Sequence, residues 1–267
     1  MKDTELFTIQ YPPVRQFTAD IGRIDHGKHY VRSLLEVDVT EALQKLKAMR
    51  APGKKVSFLA WFVKVLADAV AQHPPINGIR QGRSKVVVFK EVNISVIVEK
   101  KVDGKAVPLP LVLRNVGAKT SLELNAEIQA AVDQSVEHAG NLVLGRGENE
   151  GLLNLALVLP QWLRLAFMRA FILGSPRRVQ DMMGTVMISS LGTVGRLSGW
   201  MLPTSMHPLS IGIGTLNKKP AIHQGAIEKR DILHLTIAFD HDVIDGMPAL
   251  AFVDDLVSRL EAGAGLE

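Results

Sequence analysis

An α/β fold in one domain is predicted by three features of the chain. Segments with helical apolar spacing alternate with runs rich in Val and Ile from one end to the other. No repeat, low-complexity tract or linker divides them. The 47% hydrophobic content of a 267-residue chain is enough to bury a sizeable core.

The opening segment, to about residue 30, shows no periodicity. Tyr30 to Thr40, "YVRSLLEVDVT", then reads as a strand that runs into the helix "EALQKLKAM". Ser57 is placed to cap "FLAWFVKVLADAVAQ", a core helix that Pro74 and Pro75 stop. The stretch "KVVVFKEVNISVIVEKKVDGKAVPLPLVLRNV" predicts an extended sheet region. Its turn falls at Asp103–Gly104, and Pro108 and Pro110 restrict part of it to an edge or an irregular path. Thr120 and Glu123 have capping-box spacing before an amphipathic helix that fades at Ala139–Gly140. Three β-rich runs follow Pro176, and Pro248 opens the last helix, "ALAFVDDLVSRLEA".

Residues 151–173, "GLLNLALVLPQWLRLAFMRAFIL", are the most apolar part of the chain. Pro160, Gln161, Arg164 and Arg169 interrupt them, whereas a membrane span needs about 20 predominantly apolar residues with few charges. Two short helices broken near Pro160, buried in a core or a subunit contact, are expected. An interfacial membrane helix or the wall of an apolar substrate pocket is the alternative.

The absence of cysteine excludes disulfides, thiolate nucleophiles, Cys-ligated zinc and iron–sulfur clusters, and a cytoplasmic location is expected. The N-terminal sequence offers no apolar core of a secretory signal. A net charge of +4, spread along the chain with only 5% aromatic residues, suits anionic small molecules better than nucleic acid. "GIGTLNKKP" lacks the spacing of a P-loop or a dinucleotide fingerprint. No metal site is expected. The residues of Asp-His-Asp at 240–242 would alternate in direction along a strand, and Gly27 argues against a helix that would align His26 with His29.

The reactive groups that remain are hydroxyls, carboxylates, lysines and eight histidines. His241, in "IAFDHDVIDGMPA", stands at the end of an alternating strand, where a sheet delivers side chains to an edge or a crevice. An imidazole titrating near pH 6.5 can take a proton from a thiol or hydroxyl. Asp240, Asp242 and Asp245 are near enough to orient the ring or pair with an arginine. As a bare pattern, H-x-x-x-D-G is more often a polar turn than a catalytic site. "ISSLGTVG" offers the hydroxyls of Ser189 and Ser190 beside a glycine turn, where they could donate to an oxyanion.

Taken in order, "LLEVDVTEALQKLKA", "EVNISVIVEKKVDGKAVPLPLVLRNVGAKTSLEL", "VMISSLGTVG" and "LTIAFDHDVIDGMPALAFVDDLVSRLE" resemble the acyltransferase domain of 2-oxo acid dehydrogenase complexes and the related chloramphenicol acetyltransferases. The resemblance covers most of residues 15 to 261. It implies a two-layer fold, a mixed sheet with helices packed on it, assembled as a trimer or as a larger cage of trimers.

By the same resemblance, His241 is the general base that deprotonates the thiol of coenzyme A or dihydrolipoamide. Ser189 donates to the oxyanion from a neighbouring subunit. Asp245, paired with Arg15, holds the histidine segment, with Gly246 beside it. Coenzyme A or acyl-CoA is then a substrate, and the acceptor is a small molecule or a lipoyl group on another protein, since no lipoyl domain is recognised here. The chain departs from the family at Asp242, where an arginine is usual, and at 151–173, where the family has a shorter polar connection. A catalytically silent trimeric scaffold is the rival reading.

Overall fold

The structure, a computed structural model, describes Thr8 and residues 15–49, 56–102, 105–133, 159–190 and 198–266. The element order is α1 (Arg15–Asp25), β1 (Tyr30–Asp38), α2 (Thr40–Ala48), α3 (Phe58–Gln72), β2 (Gly78–Gln81), β3 (Lys85–Val88), β4 (Ile94–Val102) and β5 (Lys105–Leu113). It continues with α4 (Ser121–Asp133), α5 (Gln161–Phe167), a π-helical turn (Met168–Leu173), α6 (Pro176–Met182), β6 (Val186–Ser190), β7 (Leu209–His223), β8 (Ala226–Asp240) and α7 (Gly246–Ala262).

Six strands form one mixed sheet in the order β1-β8-β7-β6-β4-β5. β6 runs parallel to β4 and β7, and every other pairing in the sheet is antiparallel. Alternation along the strands divides the two faces. Ile188, Ile211, Leu235 and Ile237 turn to a core closed by Trp61, Phe62 and Leu66 of α3 and Phe252 and Leu256 of α7. The opposite face carries Ser189, Gly212, His234 and Thr236. Residues 198–208 cross it so closely that a Cβ at Gly212 would collide with the Met201 carbonyl oxygen.

Several local expectations are met by their physical cause. Ser57 Oγ accepts from Ala60 N (3.2 Å) at the start of α3. Thr120 N donates to Glu123 Oε2 (2.7 Å) while Glu123 N donates to Thr120 Oγ (3.2 Å), a reciprocal capping box. β5, with its two prolines, is an edge strand, where missing N–H groups leave no ladder bond unmade. The turn at Asp103–Gly104 and the fading of α4 at Ala139–Gly140 fall outside the described residues.

Other expectations are corrected. Lys85–Val88 does not join the sheet but pairs with Gly78–Gln81 as a separate two-stranded ribbon. The opening read as aperiodic holds α1, "RQFTADIGRID", in which Phe17, Ile21 and Ile24 recur at helical spacing and Ile24 is buried, with an ionic contact beside them on the inward side. Asp20, fully buried, receives Arg164 Nε (2.7 Å), Arg164 Nη2 (3.2 Å) and Gln161 Nε2 (3.0 Å) from α5. The segment after Pro160 is likewise not a core helix: α5 lies on the surface with Trp162 69% exposed. Arg164 and Met168 are its buried side chains, and Ile172 and Leu173 pack against Ile79, Val179 and Met183.

Beneath the 198–208 crossing, His207 is buried and neutral. Its Nε2–H donates to the Met183 carbonyl (3.0 Å) and its Nδ1 accepts from the Ser205 hydroxyl (2.9 Å). Burial pushes its pKa down to about 4. The Tyr30 hydroxyl donates to the carbonyls of His207 (2.5 Å) and Ser205 (3.1 Å), and burial, reinforced by Asp240, pushes its pKa up, so it stays a neutral donor.

Two outcomes are expected. Asp20→Ala strands the Arg164 guanidinium and costs about 3–5 kcal/mol in urea denaturation, whereas the double variant Asp20→Leu/Arg164→Leu loses less. Between pH 6.5 and about 4 the unfolded His207 binds a proton that the folded one refuses. Stability therefore falls as pH drops through that window, by on the order of 3 kcal/mol from this residue. Melts of His207→Gln across the same range should show a shallower acid slope.

Candidate active site

β8 ends at Asp240, and the chain turns through His241 to Val243 before α7. The turn is fastened from several elements. His241 N donates to His29 O (2.9 Å) and Asp240 N to Pro208 O (2.9 Å), while Val243 N and Ile244 N both return to Asp240 O (2.9 and 3.3 Å). The buried Asp240 carboxylate receives Lys28 Nζ at 2.6 Å and Asp242 N at 3.2 Å. Asp240 thus faces inward and locks the backbone, and the next side chain, the His241 imidazole, is left exposed.

This sets His241 apart from the two buried histidines of the same sheet region. His207 has both ring nitrogens bonded within the fold. His234 bonds Thr215 Oγ1 through Nδ1 (2.9 Å) and Lys219 Nζ through Nε2 (3.0 Å), and packs edge-on against Trp200. Those two are structural. Among the described residues, the aromatic ring near His241 is that of Phe239, 6.5 Å away between centroids.

Asp242, which stands where the resemblance expects arginine, is neutralised by a new neighbour. Its Oδ1 lies 3.1 Å from His29 Nδ1 and its Oδ2 3.3 Å from Arg80 Nη1, from β2. The hydrogen bond with His29, assisted by Arg80 and Lys28, holds its carboxyl below the usual range. Arg80, from the β2–β3 ribbon, therefore offsets the negative charge at position 242. Lys28, His29 and Arg80 were not legible as site residues, because each is far from position 241 in sequence and meets it only through folding.

Ser189 lies near the end of β6, half-buried, its Oγ 3.8 Å from Met201 Sδ. The glycine turn expected after it falls at 191–197, outside the described residues. Its position relative to His241 follows from the ladder. Ser189 is opposite Gly212 and Gly212 opposite Thr236, so the serine is two strands from β8 and level with a residue five positions before His241. At about 3.4 Å per residue and about 4.8 Å per strand, their Cα atoms stand roughly 19 Å apart. One chain does not bring the two side chains to a common atom.

Asp245 is the N-cap residue of α7, with an exposed carboxylate that makes no cap bond, and Arg15 opens α1. The ion pairs between described residues do not include one joining Arg15 to Asp245; Lys28–Asp240 is the pair that fastens this loop. Gly246 has open space around the place of a Cβ and no positive φ, so a single chain gives no steric reason for glycine there. Met247 and Leu250, on the first turns of α7 beside this loop, are exposed.

Comparison with known proteins agrees with this architecture. The family model described as 2-oxoacid dehydrogenases acyltransferase (catalytic domain) matches residues 28–142 and 175–266. The chain is 23% identical over 233 residues to the mitochondrial dihydrolipoyllysine-residue succinyltransferase component of the 2-oxoglutarate dehydrogenase complex of Bos taurus, covering 85% of this chain and 42% of that protein. It is 26% identical over 229 residues to the dihydrolipoyllysine-residue acetyltransferase component of the pyruvate dehydrogenase complex of Staphylococcus epidermidis, covering 83% and 43%. The chain therefore spans less than half the length of these relatives.

Among solved structures, the cubic core of the pyruvate dehydrogenase multienzyme complex superposes with a TM-score of 0.70 at 21% identity, over 97% of this chain and 93% of that one. Chloramphenicol acetyltransferase gives 0.50 at 13% identity, over 97% and 98%. These likenesses establish the fold, and the family match across well over half of the sequence, with the "FDHDVIDG" loop inside it, shows that this chain belongs to the 2-oxoacid dehydrogenase acyltransferase (catalytic domain) family.

Proposed function

We propose that this protein is a coenzyme A-dependent acyltransferase, one catalytic domain spanning residues 1–267 that works as a trimer. The observation that carries the reading is the state of His241: its loop is held by Lys28 and His29, just before β1, and by Pro208, just before β7, while its imidazole is left to solvent. A family whose members are named acyltransferases supplies the reaction class.

In this reading the imidazole accepts the proton of a thiol, either that of coenzyme A or that of a dihydrolipoyl group carried by another protein. The thiolate attacks the carbonyl carbon of an acyl thioester, and the resulting oxyanion accepts a hydrogen bond from Ser189 Oγ. The intermediate collapses, the carbon–sulfur bond of the original thioester breaks, and the departing thiolate recovers the proton from the imidazolium. No acyl-enzyme is formed. Asp245, with Arg15 and Gly246, supports the loop in the assembled trimer.

The separation of Ser189 from His241 within one chain supports a site completed by a second subunit, which contributes its serine. The surface around the loop fits such an approach, with Met247 and Leu250 exposed and nothing facing Gly246. So does the β7–β8 hairpin. Beyond Ile232, where β1 stops pairing, it continues as a two-stranded arm whose turn, Gln224–Gly225, has positive φ at both positions (49° and 83°). Its tip presents Ile222 and Ile227, paired across the strands and 80% and 78% exposed. Apolar side chains so displayed are suited to burial against a neighbour.

The tests follow. With a panel of acyl-CoAs and dihydrolipoamide, His241→Ala should lower kcat about 10²–10⁴-fold without a change in melting temperature; equal rates would remove the base from the mechanism. Ser189→Ala should cost about 10²–10³-fold in kcat. Co-assembling the two inactive variants should restore activity at about a quarter of the sites by random assortment, because some interfaces then pair an intact histidine with an intact serine from different chains. No recovery would mean that both groups act from the same chain.

A further inference from the structure

The segment after Pro160 buries Arg164 and Met168 yet leaves three large aromatic rings exposed. In a surface helix of a globular protein the apolar stripe faces inward. Here Gln161 and Arg164 face inward, both held by the buried Asp20, with Arg164 Nη1 also donating to the Leu159 carbonyl (2.6 Å). Trp162, Phe167 and Phe171 face outward, Phe167 and Phe171 being about half exposed. The π turn over Met168–Leu173 contributes to this display. A wider turn leaves residue i+4 short of a full rotation, so Phe171 stays on the outer side with its ring stacked on Phe167, 4.8 Å between centroids and 14° between planes.

Charge accompanies the stripe. From residue 151 to 180 the chain has four arginines and no acidic residue. Arg164 is taken by Asp20, whereas Arg169 of the π turn and Arg177 and Arg178 of α6 are exposed. Arg178 stands 4.9 Å from the centre of the Phe171 ring and donates to the Phe171 carbonyl (2.6 Å), which fixes a cation beside that exposed ring. Residues 143–174, which include α5 and the whole π turn, lie outside both stretches matched by the family model, whereas Arg177 and Arg178 lie inside the second.

We propose that residues 161–178 dock the protein on a membrane surface that carries anionic headgroups. The rings of Trp162, Phe167 and Phe171 enter the boundary between headgroups and acyl chains, and Arg169, Arg177 and Arg178 meet lipid phosphates. The segment lies on the membrane and does not cross it, since no helix among the described residues is long and apolar enough to span. A symmetric contact between two copies fits less well, because it would bring each copy's three arginines against those of the other. This inference does not rest on acyl transfer.

The test is flotation of the full chain with vesicles of phosphatidylcholine alone or mixed with phosphatidylglycerol. The wild type should float with the mixed vesicles, stay behind with the neutral ones, and be released by raised salt. Trp162→Ser/Phe167→Ser/Phe171→Ser and, separately, Arg169→Gln/Arg177→Gln should each bind roughly tenfold or more weakly, with circular dichroism and melting temperature unchanged. The arginine pair keeps the assay decisive if the aromatic variant folds poorly. Failure of the wild type to float, or equal flotation of wild type and arginine variant, would overturn the proposal. So would a fall in sedimenting mass caused by the aromatic variant without any vesicle binding, which would assign the patch to a second copy. Thioester exchange measured on the same variants keeps this outcome separate from that of the catalytic reading.

Discussion

The antiparallel pairing of β1 with β8 is the constraint on which the site depends, and it joins residues more than 200 positions apart in the chain, Tyr30 opposite Asp240. Bringing distant strands together carries an entropic cost that grows only slowly with the length of chain enclosed, and the core helices on one face of the sheet offset it. Once the pairing is made, its end fixes a small polar assembly. Lys28 closes on Asp240, the His29 carbonyl takes the His241 amide, and the Tyr30 hydroxyl reaches back to the 205–207 segment. The loop that carries His241 is therefore rigid although it is exposed, and that combination suits a general base, which has to be accessible and correctly oriented at once.

The two faces of the sheet do different work. One is apolar and closed by α3 and α7, and it gives the strands a single register, since a slip of one residue would turn Ile211 and Ile237 outward. The other is polar and crossed at close range by residues 198–208, where Gly212 permits the approach that any side chain would block. The candidate groups belong to this second face and its ends. Ser189 is set at mid-sheet and His241 at the strand terminus, in a geometry that one chain does not close by itself.

Charge at the loop illustrates how a local departure can be compensated. Asp242 stands where the resemblance leads one to expect arginine, and read alone it would set an uncompensated carboxylate beside His241. In the fold it is paired with Arg80 from a ribbon outside the main sheet and with His29, just before β1. The same pattern, a polar contact made across long sequence separation, accounts for α1. That helix sets a short apolar row ending in the buried Ile24 beside an ionic anchor, Asp20 on Arg164, whose partner lies more than 140 positions away.

What the amino-acid order decided by itself was local and periodic. Apolar spacing and caps settled α3 and α4, β-branched runs settled the central strands, and the prolines of β5 placed it at an edge, because these signals act over a few residues through backbone sterics and hydrogen bonding. The order of motifs ending in "FDHDVIDG" marked the family and singled out His241 and Ser189. Only the tertiary structure decided which faces those residues share, that Lys28, His29 and Arg80 surround the loop, that Lys85–Val88 leaves the main sheet, and that the apolar stretch after Pro160 turns its aromatic rings outward. These outcomes depend on partners tens to hundreds of residues away, and whether a side chain faces the core or solvent is set by what it meets there and not by its own hydrophobicity.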